Sequence, residues 1–274
     1  ISIAMFGSLP FFLSDIDMSF IDAFFESTSG ITTTGATVIE NLEAKSHGIL
    51  IWRALLQWLG GVGIIVMALA VLPMLSIGGM QLFKTESYET PDKVVPKAAS
   101  FAAGISIVYI TLTVIWAFML WGAGMTIFDS IAHSMTTLAT GGYSTKSESL
   151  AAFNSSTIEI IIIFGMLVGS LPFVHYLALT KNGIRNLIKD DQVKLFLTLV
   201  LFVVLIMSLY LSFNNLPFID ALRLASFNVI SIITGTGFGT SDFNNWGGFP
   251  TTILLILMFV GGCAGSTTCG LRMA

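Results

Sequence analysis

Charge is what this sequence has least of. Only 10% of its 274 residues are Asp, Glu, Lys or Arg, where soluble domains carry about a quarter. Hydrophobic residues make up 54%, which argues against an ordinary water-soluble globule and makes a bilayer the expected solvent. Cysteine is almost missing. Cys263 and Cys269 stand among apolar and small residues, which speaks against a disulfide framework or a zinc site and leaves them as small buried side chains. Histidine is scarce as well, with three in all, and neither cysteine has one nearby in sequence. A thiol nucleophile needs a base within hydrogen-bond reach, so an intramembrane thiol enzyme is a remote alternative.

Long apolar runs are what the chain does have. They cover Gly48 to Ile77, Phe101 to Trp121, Thr157 to Thr180 and Leu195 to Phe213, with Phe249 to Gly262 a further one if it continues past its glycines. A span needs about 20 predominantly apolar residues. The chain opens at Ile1 on an apolar stub that stops near Leu13 and closes at Ala274 just after a hydrophobic run. Both ends therefore read as cut, and the whole protein is expected to be longer. The net charge of −4 says less than its distribution. Lys84, Lys93 and Lys97 share one connection and Lys181, Arg185, Lys189 and Lys194 share another, while acids such as Asp22, Glu43, Asp129, Asp220 and Asp242 fill the rest. The positive-inside rule puts the two basic connections in the cytoplasm.

Two full spans lie between those connections, so the residues joining the spans start and end outside. They carry the run from Asp129 to Tyr143, helical in spacing yet too short to cross. A short helix followed by Gly and Thr that returns to its own side is a re-entrant loop. Such backbone survives at membrane depth only where protein buries it or water lines it. The same pattern recurs over Ile21 to Val38 and Ile219 to Thr240, an internal repetition. With Gly35, Gly142 and Gly237 as a common frame, 107 and 95 residues apart, the positions nine earlier are Glu26, His133 and Asn228, and those six earlier are Ser29, Thr136 and Ser231. The expected organisation is an all-α membrane protein built of repeated helix, re-entrant pore-loop and helix units around a central pore. Residues 1–80 hold the end of an outer helix, a pore loop and the inner helix of the first unit. A cytoplasmic connection follows over 81–98, then the second unit over 99–180. A second connection spans 181–194, and 195–274 is a third unit cut within a broken inner helix. A closed ring wants a fourth loop.

The three frames read Thr33-Thr34-Gly35-Ala36-Thr37, Thr140-Gly141-Gly142-Tyr143-Ser144 and Gly235-Thr236-Gly237-Phe238-Gly239. They are loose versions of the Thr-Val-Gly-Tyr-Gly filter of potassium channels. Carbonyls of successive peptides must turn toward one axis to replace an ion's hydration shell, and glycine reaches the needed dihedrals most cheaply. A helix aiming its C-terminal end at the pore adds roughly half an elementary negative charge. One such loop alone is ordinary helix packing or a turn; three in register point to a filter with carbonyls from Thr33, Thr34, Gly35, Thr140, Gly141, Gly142, Gly235, Thr236 and Gly237. Ala36, Tyr143, Phe238, Glu26, His133 and Asn228 are expected behind it, the last two more as bonds between loop and helix. Roughly one span later, Gly261, Gly262, Cys263, Ala264, Gly265, Ser266, Thr267, Thr268, Cys269 and Gly270 form a run without a large side chain. It cannot hold a stiff helix, so it reads as a loop beneath the filter able to block the path, or as a close helix-packing seam. His175 reads as a packing residue, and Gly60, Gly61 and Gly63 as helix contacts. Arg53 and Arg223 are expected to snorkel or to pair with Asp22 or Asp220, while Arg272 could repel cations near the gate.

The motifs FFESTSGITTTGATV, WRALLQWLGGVGIIVMALAVLPMLSIGGMQL and GGCAGSTTCGLRM resemble the Trk/Ktr/HKT superfamily of potassium transporters, and within it the bacterial Trk membrane subunit. The likeness covers essentially the whole chain. It implies four units around one pore, an intramembrane gate at 261–270 and a multi-pass homodimer in the bacterial inner membrane. It further implies potassium as the transported ion, no organic cofactor, no nucleic acid partner, and a cytoplasmic TrkA-like nucleotide-binding regulatory subunit docking on the basic face. Cys269 stands where another glycine is expected. A sodium-conducting or ion-coupled cation symporter of the same superfamily is the alternative. Gly35 favours potassium, since serine at that place goes with sodium in some plant members.

Overall fold

A computed structural model describes residues 1–14, 16–66, 94–182, 187, 189–268 and 270–273. Most of the first basic connection, with Lys84 and Lys93, lies outside the described residues, as do Asp15, Arg185, Cys269, Ala274 and the end of the first long apolar run. In chain order the helices are α1 (Ser2–Phe12), α2 (Phe20–Ile31), α3 (His47–Val66), α4 (Val94–Gly122), α5 (Ile127–Leu138) and α6 (Ser156–Gly169). They continue as α7 (Phe173–Asn182), α8 (Asp191–Phe213), α9 (Phe218–Ile233) and α10 (Gly248–Leu257). Two short strands, β1 (Val260–Cys263) and β2 (Leu271–Met273), pair in parallel and depart from this all-α architecture.

Local chemistry sets the starts of the short helices. Ser19 Oγ accepts from the Asp22 amide and donates to the Asp22 carboxylate, and Thr126 does the same with Asp129. Each is a capping arrangement that satisfies amides a helix leaves unpaired. Pro217 stands at the cap position just before α9 instead, where a missing N–H is harmless. At the head of α8, the Asp190 carboxylate accepts from Gln192 N and Val193 N. His175 Nε2 lies 2.7 Å from the same carboxylate, so His175 is hydrogen-bonded as well as packed. Partial burial pushes the Asp190 carboxyl up, yet the bonds from His175, Val193 and Gln192 outweigh it and leave it below its ordinary value.

Within each repeat an outer helix packs on a short one: α1 on α2, α4 on α5, α8 on α9. Between repeats, α3 packs on α5 and α6 on α9, so each inner helix leans on the short helix of the next repeat. The segments Ser100–Gly122 and Asp191–Phe213 are long and apolar enough to cross a membrane. Along α8 one face buries Val193, Phe196, Val200, Met207 and Leu211, while Leu201 and Phe202 on the other are exposed. A helix apolar all round belongs in lipid.

Two expected spans differ from what forms. The run from Thr157 to Thr180 is two helices separated at Ser170–Pro172, because Pro172 offers no N–H and disfavours helical backbone just before it. The run from Phe249 to Gly262 stays helical only to Leu257 before the chain extends into β1.

Candidate functional site

The short helices α2, α5 and α9 each end one or two residues before a left-handed backbone position. φ is +56° at Thr33, +50° at Thr140 and +70° at Gly235, and again +81° at Gly35, +75° at Gly142 and +81° at Gly237. The residues between them, Thr34, Gly141 and Thr236, are not left-handed. Alternation of hand along a strand turns successive carbonyls to one side, which a β-strand cannot do. Glycine meets this need at four of the six positions. Thr33 and Thr140 are β-branched residues held where such residues are seldom found, at roughly 1–3 kcal/mol each.

The loops also converge. A Cβ added to Gly35 would collide with the Gly141 carbonyl oxygen of the second loop, and one on Gly142 with the Thr236 carbonyl oxygen of the third. Among the described residues nothing stands within 4 Å of the same point on Gly237.

The aligned polar positions each bind the segment just after their own loop. Glu26 accepts from Thr37 Oγ1 (2.9 Å) and Val38 N (3.0 Å), His133 Nε2 meets Ser144 Oγ (3.0 Å), and Asn228 Nδ2 donates to Ser241 Oγ (3.3 Å). Ser29 Oγ donates to Ala36 O and Ser231 Oγ to Phe238 O, at 2.6 and 2.7 Å. Thr136 instead bonds back to Ala132 O and His133 O in its own helix.

Two side chains that repeat comparison passed over brace these loops from α3. Arg53 pairs with Glu26 at 2.7 Å, both 1% exposed or less, and not with Asp22. Glu26 lies deeper along α2, within reach of a guanidinium inside the protein. Arg53 also donates to Ser144 O and lies 4.1 Å above the Tyr143 ring, whose hydroxyl donates to Glu26 O and Ala36 O. One turn further, Gln57 Nε2 donates to Gly141 O (2.6 Å) and its Oε1 accepts from Tyr143 N (3.0 Å). Gly60 and Gly61 let α3 come this close: a side chain at the first would strike Ile31 O, and at the second the Ala139 backbone at 3.0 Å. Among the described residues nothing lies within 4 Å of a Cβ on Gly63. At the outer ends of α6 and α9, Arg223 meets Glu159 at 3.3 Å and Asp220 at 3.8 Å.

The small-residue run after α10 is seated in the break between α6 and α7. Thr267 N donates to Gly169 O, Cys263 N to Ser170 O, and Phe173 N to Gly265 O. Helix ends leave carbonyls unpaired, and this segment takes them. Thr267 Oγ1 lies 2.9 Å from Gly169 O and 3.1 Å from Leu138 O, and it receives Thr140 Oγ1 at 3.1 Å. The segment therefore touches the second loop. Gly262 N donates to Thr268 Oγ1, whose oxygen shares a proton with Ser266 Oγ at 2.8 Å. Cys263 is a free, buried thiol.

In the segments that follow the first two pore loops, Glu43 accepts from Ser147 N (2.8 Å) and Ser147 Oγ (2.7 Å), which clasps the first repeat to the second. Those bonds hold its carboxyl below the ordinary value of 4.5. Gly239 of the third loop donates to Ser149 Oγ and accepts from Leu150 N and Ala151 N.

The family model for TrkH, described as a cation transport protein, matches residues 4–274. The chain is 38% identical over its full length to the Trk system potassium uptake protein TrkI of Halomonas elongata, covering 56% of that protein. It is 41% identical over 97% of its length to TrkH of Salmonella typhimurium, again covering 56%. The crystal structure of the potassium transporter TrkH from Vibrio parahaemolyticus superposes with a TM-score of 0.88 at 39% identity, over 98% of this chain and 56% of that one. The chain thus spans little more than half the length of these relatives.

Proposed function

Because the chain belongs to the TrkH family of cation transport proteins, we propose that it forms three of the pore units of a potassium uptake protein. The observation that carries this is the alternation of left-handed positions at 33/35, 140/142 and 235/237, in register across three loops whose frames touch. Carbonyls of Thr33, Thr34, Gly35, Thr140, Gly141, Gly142, Gly235, Thr236 and Gly237 then replace the water shell of potassium. Ala36, Tyr143, Phe238, Glu26, His133 and Asn228 support them from behind. The C-terminal ends of α2, α5 and α9 add negative potential to the conduit.

Each unit is an outer helix, pore loop and inner helix, bounded at residues 1–80, 99–180 and 195–274, with basic cytoplasmic connections between. The segment 261–270 is the gate, with Cys269 inside it and Arg272 just beyond its far end. It blocks the inner path while bonded to the helix break at Gly169 and Ser170. The whole protein carries a fourth loop, sits in the inner membrane as a homodimer, and is regulated from the cytoplasm by a nucleotide-binding subunit. It conducts ions and performs no chemistry on them.

The test is rubidium and sodium uptake into liposomes by the full-length protein and its Gly142→Ser variant. A side chain at 142 meets the Thr236 carbonyl, so the variant is expected to lose its preference for rubidium over sodium. Unchanged selectivity overturns the assignment of Gly142 to a filter.

A further inference from the structure

We propose that Gln57 is a positioning residue for ion selectivity, an amide on the inner helix of the first repeat that fixes the filter of the second. This rests on the potassium-filter reading above. Gln57 is fully buried in the middle of α3, where an unpaired amide is costly. Both its ends are used on one short stretch of backbone. Nε2 donates to Gly141 O at 2.6 Å and Oε1 accepts from Tyr143 N at 3.0 Å. Gly142, at φ +75°, lies between the two contacts, so the fork fixes the rotation of the peptides on both sides of the frame glycine.

The approach is close. A Cβ on Gly141 would lie 2.5 Å from Gln57 Cδ and 2.6 Å from Oε1, so glycine at 141 is what admits the amide. The carbonyl that Gln57 holds is also the one facing Gly35 of the first loop. Turning that peptide would move an oxygen at the junction of two loops, where a small displacement changes the cage offered to an ion.

The chemistry singles out glutamine. A primary amide donates at one end and accepts at the other without net charge. Leucine can do neither, and a carboxylate can only accept. Among the three repeats of this chain only the first carries the device: at the same distance beyond the other frame glycines stand Phe164 and Phe259, both more than half exposed.

The test compares full-length wild type, Gln57→Leu and Gln57→Glu in liposomes, reading the ratio of rubidium to sodium uptake. Gln57→Leu is expected to lower the ratio about tenfold, the scale of one unsatisfied buried hydrogen bond, while ions still pass. Gln57→Glu is expected to have a low ratio at alkaline pH, where the buried carboxyl ionises, and a ratio that recovers as pH falls and the protonated carboxyl regains a donor. The neighbouring ionisable groups Glu26, Arg53, His133 and Tyr143 are controlled by wild type at the same pH. Should Gln57→Leu fail to fold by gel filtration, Gln57→Glu decides alone. A wild-type ratio in Gln57→Glu at alkaline pH, or a low ratio that ignores pH, overturns the assignment. Wild type without preference for rubidium overturns the potassium reading itself, and this proposal with it.

Discussion

Thr33 and Thr140 occupy the left-handed region with a β-branched side chain, the kind of strain that the surroundings must enforce. Beyond these positions, the buried ion pair between Glu26 and Arg53 ties Thr37 and Val38 after the first loop to Ser144 after the second. Removing one partner of a buried pair costs about 3–5 kcal/mol because the other is left uncompensated, whereas replacing both costs far less. Arg53→Met should therefore lower the unfolding temperature in detergent more than Glu26→Gln with Arg53→Met together. Equal losses would mean that the pair itself carries little of the fold. The glycine frame and Glu26 were legible in the sequence, since three repeats align on them. The role of Gln57 and the pairing of Arg53 were not, because neither Gln57 nor Arg53 has a counterpart in the other repeats. A polar pair four residues apart within an apolar helix was the signal available, as buried polar groups in membranes seek partners.

Among elements, the inner helix of the second repeat shows where hydropathy misleads. Its apolar run is continuous enough to read as one span, but Pro172 splits it into α6 and α7, and hydropathy does not register a missing amide. The segment seated in that split was legible as a non-helical run of small residues, while its seat was not, being made of backbone carbonyls. Thr267 joins this seat to the strained Thr140 through a single hydroxyl. Thr267→Val keeps the shape and removes those bonds, worth about 1 kcal/mol each. Rubidium uptake by the full-length variant should rise several-fold if the segment is a closed gate; an unchanged rate would argue that it is structural only.

At the scale of the molecule, the clasps make one body of separate repeats. The Glu43 carboxyl is held below its ordinary value by Ser147, so the clasp stabilises fully above that value and is lost as pH falls through the lowered one. The stability gap between wild type and Glu43→Gln should accordingly be constant at neutral pH and close in acid, as followed by thermal unfolding across a pH series. The open side of Gly237 supplies another expectation. With a fourth loop in the full-length protein, Gly237→Ser should harm selectivity as much as Gly142→Ser does, and a silent Gly237→Ser would place no loop there. The fold class, the threefold repetition and the register of the loops were all readable, because each repeats a pattern three times; the side-chain bonds between repeats, such as Gln57 to Gly141 and Glu43 to Ser147, occur once each and left no pattern to read. The split helix has a last consequence. If residues 261–268 are a gate, their withdrawal leaves the Gly169 and Ser170 carbonyls and the Cys263 and Thr267 amides in need of new partners, which entering solvent would supply. Wetting of the inner vestibule and withdrawal of residues 261–268 are then one event, and conditions that draw water from the conduit should keep the passage shut.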